Sequence, residues 1–273
     1  MLCVRISTIR NINQRAVKYR NMKKNLNKIL IVFDSFEFSP LSLQTVIDLA
    51  VALQYEIHAL YIEDINLLNA VALPFSREVS LLTASVRELK STQLLNGLKA
   101  DAENIKKQFE QIALTRSISI NFQSTQGHKV QVIKNRQHDV NMVLIPAVSS
   151  TRGSKIHQRT WQLIVLLYQQ NSALCHRALS LSLIQAVKTH CALFILLDSQ
   201  QNISEVQMEA DRMGVEASFQ VVDFSKVDEV LVVLKNQIPQ LLVLAEDNML
   251  IDDEKAFKKM LNTVNSDILI LRS

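Results

Sequence analysis

The chain has 273 residues, enough for two modest domains, and a hydrophobic content of 48% that excludes wholesale disorder. Four Gly and four Pro are too few for a Gly-rich sandwich. The net charge of +4 comes from residues 1–28, which carry eight basic residues and no acid; the rest holds 22 basic against 26 acidic residues and lacks the electrostatic footprint of a nucleic-acid binder.

Residues 1–27 are expected to be a disordered or artefactual basic leader. A targeting peptide and a nucleic-acid arm are the rival readings. No apolar run of signal-peptide length follows the charges, and Met22-Lys23-Lys24-Asn25-Leu26 makes a natural alternative start just ahead of the first strand. Cys3, Cys175 and Cys191 are too scattered for a disulfide framework, which suits a reducing cytosol, so a cytoplasmic location is expected. No stretch reaches the ~18 uninterrupted apolar residues that a membrane helix needs. Neither nucleic acid nor membrane is expected as a partner.

Lys28–Asp34 is a short apolar run closing on an acid, as a buried parallel strand does. Ser39-Pro40 supplies an N-cap and an N1 proline, and Leu43, Val46, Ile47, Ala50 and Leu53 then recur at helical spacing. Glu56–Ile62 is the next strand, so a βαβ unit fills about 35 residues. The spacing from Glu78 to Ile112 predicts one long helix. Its stripe Val79, Leu82, Val86, Leu89 gives way to a second stripe from Leu95, and a bend or break is expected near Gly97. Such a helix covers a sheet; a coiled-coil seam is the alternative. Ser117–Ser124 alternates like a strand, Gly127 turns the chain, Val130–Gln137 forms a short helix, and Val140–Pro146 is a further buried strand.

The second half repeats the pattern, with strands at Cys191–Asp198, Glu216–Val222, Leu241–Glu246 and Asp267–Arg272. Helices are expected at Ser204–Met213, Lys226–Gln237 and Asp252–Val264. Segment 159–190 admits two readings. In the preferred one Trp161–Tyr168 is a strand, Asn171-Ser172 caps a helix over Leu174, Ala178, Leu181 and Val187, and Ala192–Ile195 lines up with Ala59–Ile62. In the other, 158–170 is a helix and Ser172–Arg177 a strand, and Leu193–Ser199 echoes Leu30–Ser35.

Three features together resemble the universal stress protein family, in particular its tandem two-domain members. Ile29–Asp34 followed by Ser39 and a helix looks like the family's first strand. Gly127 with Val130 and Ile133 resembles its Gly-x-Pro-x-x-x-Ile turn, with Lys129 in place of Pro. Asp139–Ile145 resembles the strand before its phosphate loop. The match spans 28–147 well and 191–273 loosely.

The resemblance implies an α/β fold of two universal-stress-like (Rossmann-like, adenine nucleotide alpha hydrolase-like) units with mostly parallel sheets. The first unit would span 28–158 and a degenerate second 159–273, the boundary falling within 148–190. Residues 1–27 are left as the leader.

Nucleotide-binding members follow that strand with Gly-x-x-Gly and a later Gly-Ser/Thr, because glycines let backbone N–H groups crowd a phosphate. After Glu246 this chain has Asp247, Asn248, Met249 and Leu250, with no glycine, so ATP binding is expected to be lost in the second unit. In the first unit Ser149, Ser150, Thr151, Arg152, Gly153 and Ser154, with Lys155, would hold an anion through hydroxyls and charge, or form a solvated linker. Asp34, with Ser35 beside it, resembles the family's adenosine-contacting acid; capping the next turn is the alternative role. ATP or another adenine nucleotide is the ligand class implied, and no cofactor is expected with certainty.

Other constellations read as structural. Cys175-His176 and His190-Cys191 lie ~20 Å apart if 172–189 is helical, too far to share one metal ion. His128, His138 and His157 stand near no nucleophile-like turn. Asp252-Asp253-Glu254 suits the first turn of a helix, Glu63-Asp64 is a second acid cluster, and Trp161 suits a domain junction. No residue set for covalent, acid–base or metal catalysis is found, and the chain is not expected to be an enzyme. Three functional readings follow. One is a non-catalytic, stress-response binding or regulatory protein. Another is an ATP-binding switch with slow hydrolysis, using Asp34 and the 149–155 loop. The last is a structural protein-interaction module. The two units are expected to associate as a pseudo-dimer through the last strand, or else the chain forms a weak homodimer.

Overall fold

The computed structural model describes residues 27–34, 40–71, 73, 77–79, 83–88, 91–135, 140–147, 163–169, 172–200 and 203–273. In chain order the first half runs β1 (Lys28–Phe33), α1 (Pro40–Leu53), β2 (Glu56–Asp64), α2 (Ile65–Val71), β3 (Arg77–Val79), β4 (Val86–Glu88), α3 (Ser91–Arg116), β5 (Ile120–Gly127), α4 (Lys129–Asn135) and β6 (Met142–Ile145). The second runs β7 (Leu163–Tyr168), α5 (Ala173–Thr189), β8 (Ala192–Leu197), α6 (Ile203–Met213), β9 (Ala217–Val221), α7 (Val227–Gln237), β10 (Leu241–Ala245), α8 (Met249–Asp252), α9 (Glu254–Thr263) and β11 (Asp267–Leu271).

Nine strands form one sheet in the order β5-β2-β1-β6-β11-β10-β7-β8-β9. Within this sheet each half places its first strand inside and crosses over to its next two on one side and its following one on the other, every pairing of the sheet within a half being parallel. The halves meet where β11 runs antiparallel to β6, with Leu269 opposite Leu144. The first half contributes four strands to this sheet and the second five.

Successive residues along the central strands are buried on opposite faces, as in a sheet covered by helices on both sides. Ile29, Ile31 and Phe33 join one apolar cluster with α1, α3 and α5, while Leu30 and Val32 join another with α4, α7, α8 and α9. Phe33 stacks on Phe109 of α3 at 5.9 Å and meets Tyr61 edge-on at the same separation, which fixes α3 against the sheet.

Segment 159–190 follows the strand-then-helix reading. Leu163–Tyr168 lies between β10 and β8, and Ser172 caps α5 by accepting the Leu174 N–H. Leu163–Tyr168 is a strand where the other reading had a helix over 158–170, and Ala173–Thr189 is a helix where it had a strand at Ser172–Arg177. Six apolar residues in register with two neighbours bury both faces of a strand, as no single helix stripe would.

The long helix expected from Glu78 is corrected. Arg77–Val79 and Val86–Glu88 pair as a small antiparallel ribbon, and the helix begins only at Ser91. Val79 and Val86 are more than half exposed, so these two stripe residues meet no core that would hold them helical. In the second half the single helix expected over Asp252–Val264 is two, α8 and α9, separated by Asp253, which caps α9 by accepting the Lys255 N–H. No helix among the described residues is long and apolar enough to cross a membrane.

Candidate functional site

A crevice of about 460 Å3 opens at the carboxyl ends of β1, β2 and β6. Between β1 and β6 the order of strands reverses, since β1 crosses over to β2 on one side and the chain returns to β6 on the other. Ligands of open parallel sheets sit outside such reversals, where neighbouring connections diverge and leave room.

Asp34, directly after β1, lines this crevice, as does Asp64 at the end of β2. Asp64 also accepts the Asn66 N–H at 2.8 Å, and Asn66 Nδ2 lies 3.4 Å from His128 Nδ1. Glu63 plays no part in the crevice. It is buried and accepts hydrogen bonds from Ser124 and Gln126 of the neighbouring strand. Gly127 ends β5 where an added Cβ would stand 3.0 Å from Val132 Cγ2, so glycine lets α4 fold close and bring Lys129 and Gln131 to the wall.

The opposite wall comes from the other half of the chain. Because β11 runs antiparallel to β6, its beginning lies beside the end of β6. The helix before it, α9, then presents Glu254, Lys258 and Asn262 to the cavity, with Ser266 below them. The Ser266 hydroxyl is buried without a hydrogen-bond partner. Next to it, Asp267 accepts the Ser42 hydroxyl at 2.7 Å and the Ala147 N–H at 2.9 Å. Burial raises the Asp267 carboxyl above the usual carboxylate range, and the two donated bonds oppose the shift.

Of the residues expected to bind, Asp34 lies in the crevice; Ser35, Ser149, Ser150, Thr151, Arg152, Gly153 and Ser154 lie outside the described residues, as do His138, His157 and Trp161. Asp64, Asn66, His128, Lys129, Glu254, Lys258, Asn262 and Ser266 were not singled out as ligand contacts. A sequence signal existed for Asp64, a second acid closing a second parallel strand. For the α9 residues there was none, because only the antiparallel seam brings them across.

The corresponding edge of the second half differs. Glu246 and Asp247 follow β10, and Asn248 spends its side-chain oxygen capping α8 on the Leu250 N–H. Tyr168 ends β7 with its hydroxyl 3.3 Å from His176 Nδ1; burial, and then the charge of Glu205, pushes it up to about 12. Burial likewise raises the Cys175 thiol, which makes it a poor source of thiolate. Cys175-His176 and His190-Cys191 sit at opposite ends of the 17-residue α5.

Fold and crevice together define an α/β protein with a mostly parallel nine-stranded sheet and a ligand-sized opening on the carboxyl edge of its first half. No family model matches the chain, and no curated protein matches it. It is similar in fold to a universal stress protein from Archaeoglobus fulgidus, at 11% identity over 90% of this chain and 96% of that one, with a TM-score of 0.47. A functionally unknown protein from Pseudomonas aeruginosa is similar at 13% identity, covering 92% and 94%, with a TM-score of 0.43. A universal stress protein in complex with cAMP matches 41% of this chain and 98% of its own at 17% identity, with a TM-score of 0.33.

Proposed function

We propose that this chain is a non-catalytic, stress-type binding or regulatory protein of the cytoplasm, whose ligand is an adenine nucleoside or nucleotide seated in the first-half crevice. The carrying observation is the 460 Å3 opening at the strand-order reversal, with Asp34 on its wall. The adenine class comes from the sequence resemblance of Ile29–Asp34 and Asp139–Ile145. Asp34, Asp64 and His128 line the crevice and are placed to hold and orient polar groups. The second half contributes a wall and binds no ATP of its own: its carboxyl edge offers two acids, a committed asparagine and no glycine. In this reading the halves are two units closed on each other as a pseudo-dimer, a view that the β6–β11 ladder supports.

Native mass spectrometry of protein purified without added ligand tests the proposal, together with thermal melts in millimolar adenosine, AMP and ATP. A retained adenine compound, or a rise of several degrees that Asp34→Ala abolishes, is expected. Melts moved by less than about 1 °C by all three compounds, with nothing retained, would overturn it. An ATP-specific shift with phosphate release would favour the ATP-switch reading.

A further inference from the structure

We infer that the crevice selects an uncharged, hydroxyl-bearing ligand of nucleoside type over a polyphosphate, a refinement that rests on the adenine-ligand reading above. Three observations carry it. The first concerns backbone donors. Anions at the carboxyl edge of a parallel sheet are held by N–H groups just past the strand. Here, among the described residues after β6, Pro146 has none, and the N–H of Ala147 is already donated to Asp267 at 2.9 Å. The chain has satisfied that donor with its own carboxylate, which Ser42 anchors from α1.

The second is charge. Among the described residues, the carboxylates of Asp34, Asp64 and Glu254 face the cavity against the lysines Lys129 and Lys258. Each added phosphate brings negative charge into this field, partly desolvated and so weakly screened. The third is the Ser266 hydroxyl, 3% exposed, on the cavity wall and lacking any hydrogen-bond partner. Buried polar groups are paired in native proteins, so an unpaired hydroxyl on a cavity wall marks where a ligand's own hydroxyl or amide completes the bond.

Titration calorimetry with adenosine, AMP, ADP and ATP on the full chain tests this. Affinity is expected to fall with each phosphate, adenosine exceeding ATP by about tenfold or more. Glu254→Gln takes one carboxylate from the cavity wall and should narrow that gap. Ser266→Ala should weaken adenosine about fivefold, the worth of one hydrogen bond. If ATP binds as tightly as adenosine, the selectivity is wrong while the adenine reading stands. If no member of the series binds, the adenine reading fails and takes the selectivity with it. The wild-type series decides between these outcomes even where a variant does not fold.

Discussion

Replacing Leu269 by Ala perturbs the one strand that belongs to both halves. Leu269 is 1% exposed, pairs with Val243 of β10 on one side and Leu144 of β6 on the other, and packs in the cluster under α1 and α5. Truncating a fully buried leucine removes three carbons' worth of transfer energy and leaves a cavity, a cost of ~3–5 kcal/mol. For a chain this long each kcal/mol lowers Tm by ~2–4 °C, so a fall of about 6–20 °C is expected. Hydrogen exchange followed by mass spectrometry separates the halves. Amides of β1 and β6 and amides of β7 and β10 should lose protection together, because the seam is continuous with both cores. If the second half opens while β1 and β6 keep full protection, the seam does not couple the halves and the reasoning fails.

Asp267→Asn should change how stability responds to acid. Burial raises the carboxyl in the native state, so the folded chain holds its proton more tightly than the unfolded one. The group's contribution is therefore fully present below the unfolded pKa and is lost as pH rises through the native one. Melts across the acid range should show the variant lacking that loss, and parallel pH profiles would refute it. Arg272→Met should leave Tm unchanged or raise it by a few degrees. The guanidinium is 1% exposed, its three nitrogens have no hydrogen-bond partner, and the charge of Glu246 only partly offsets its burial. Calorimetry showing a fall of more than about 5 °C would mean that the charge is paired in solution.

The sheet was legible wherever a strand is buried on both faces. Leu30, Val32, Val143, Val165 and Leu244 stand in short apolar runs that leave no other partner for the chain, and the alternation of runs and helices gives the parallel order. What the pattern lacked was information on exposed pieces. Val79 and Val86 carry the spacing of a helix but face solvent, where a few local contacts decide and periodicity says nothing. The same limit applies to the site. Asp34 is announced by its place after a strand, whereas Lys258 and Ser266 enter through a pairing 120 residues and more away from β6, which no local rule encodes.

The asymmetry of four strands against five has a further effect on how the protein meets other molecules. A fourth strand with one bare flank is an open valence, and in this chain β11 saturates it from within. The sheet consequently ends at β5 and β9, each half-exposed and rich in Gln, Ser, Thr or Asn. Polar edges of that kind are poor templates for another strand. A second copy or a regulatory target would therefore engage the helical layers or the crevice mouth, and the molecule's backbone chemistry is closed to growth by strand addition at its centre.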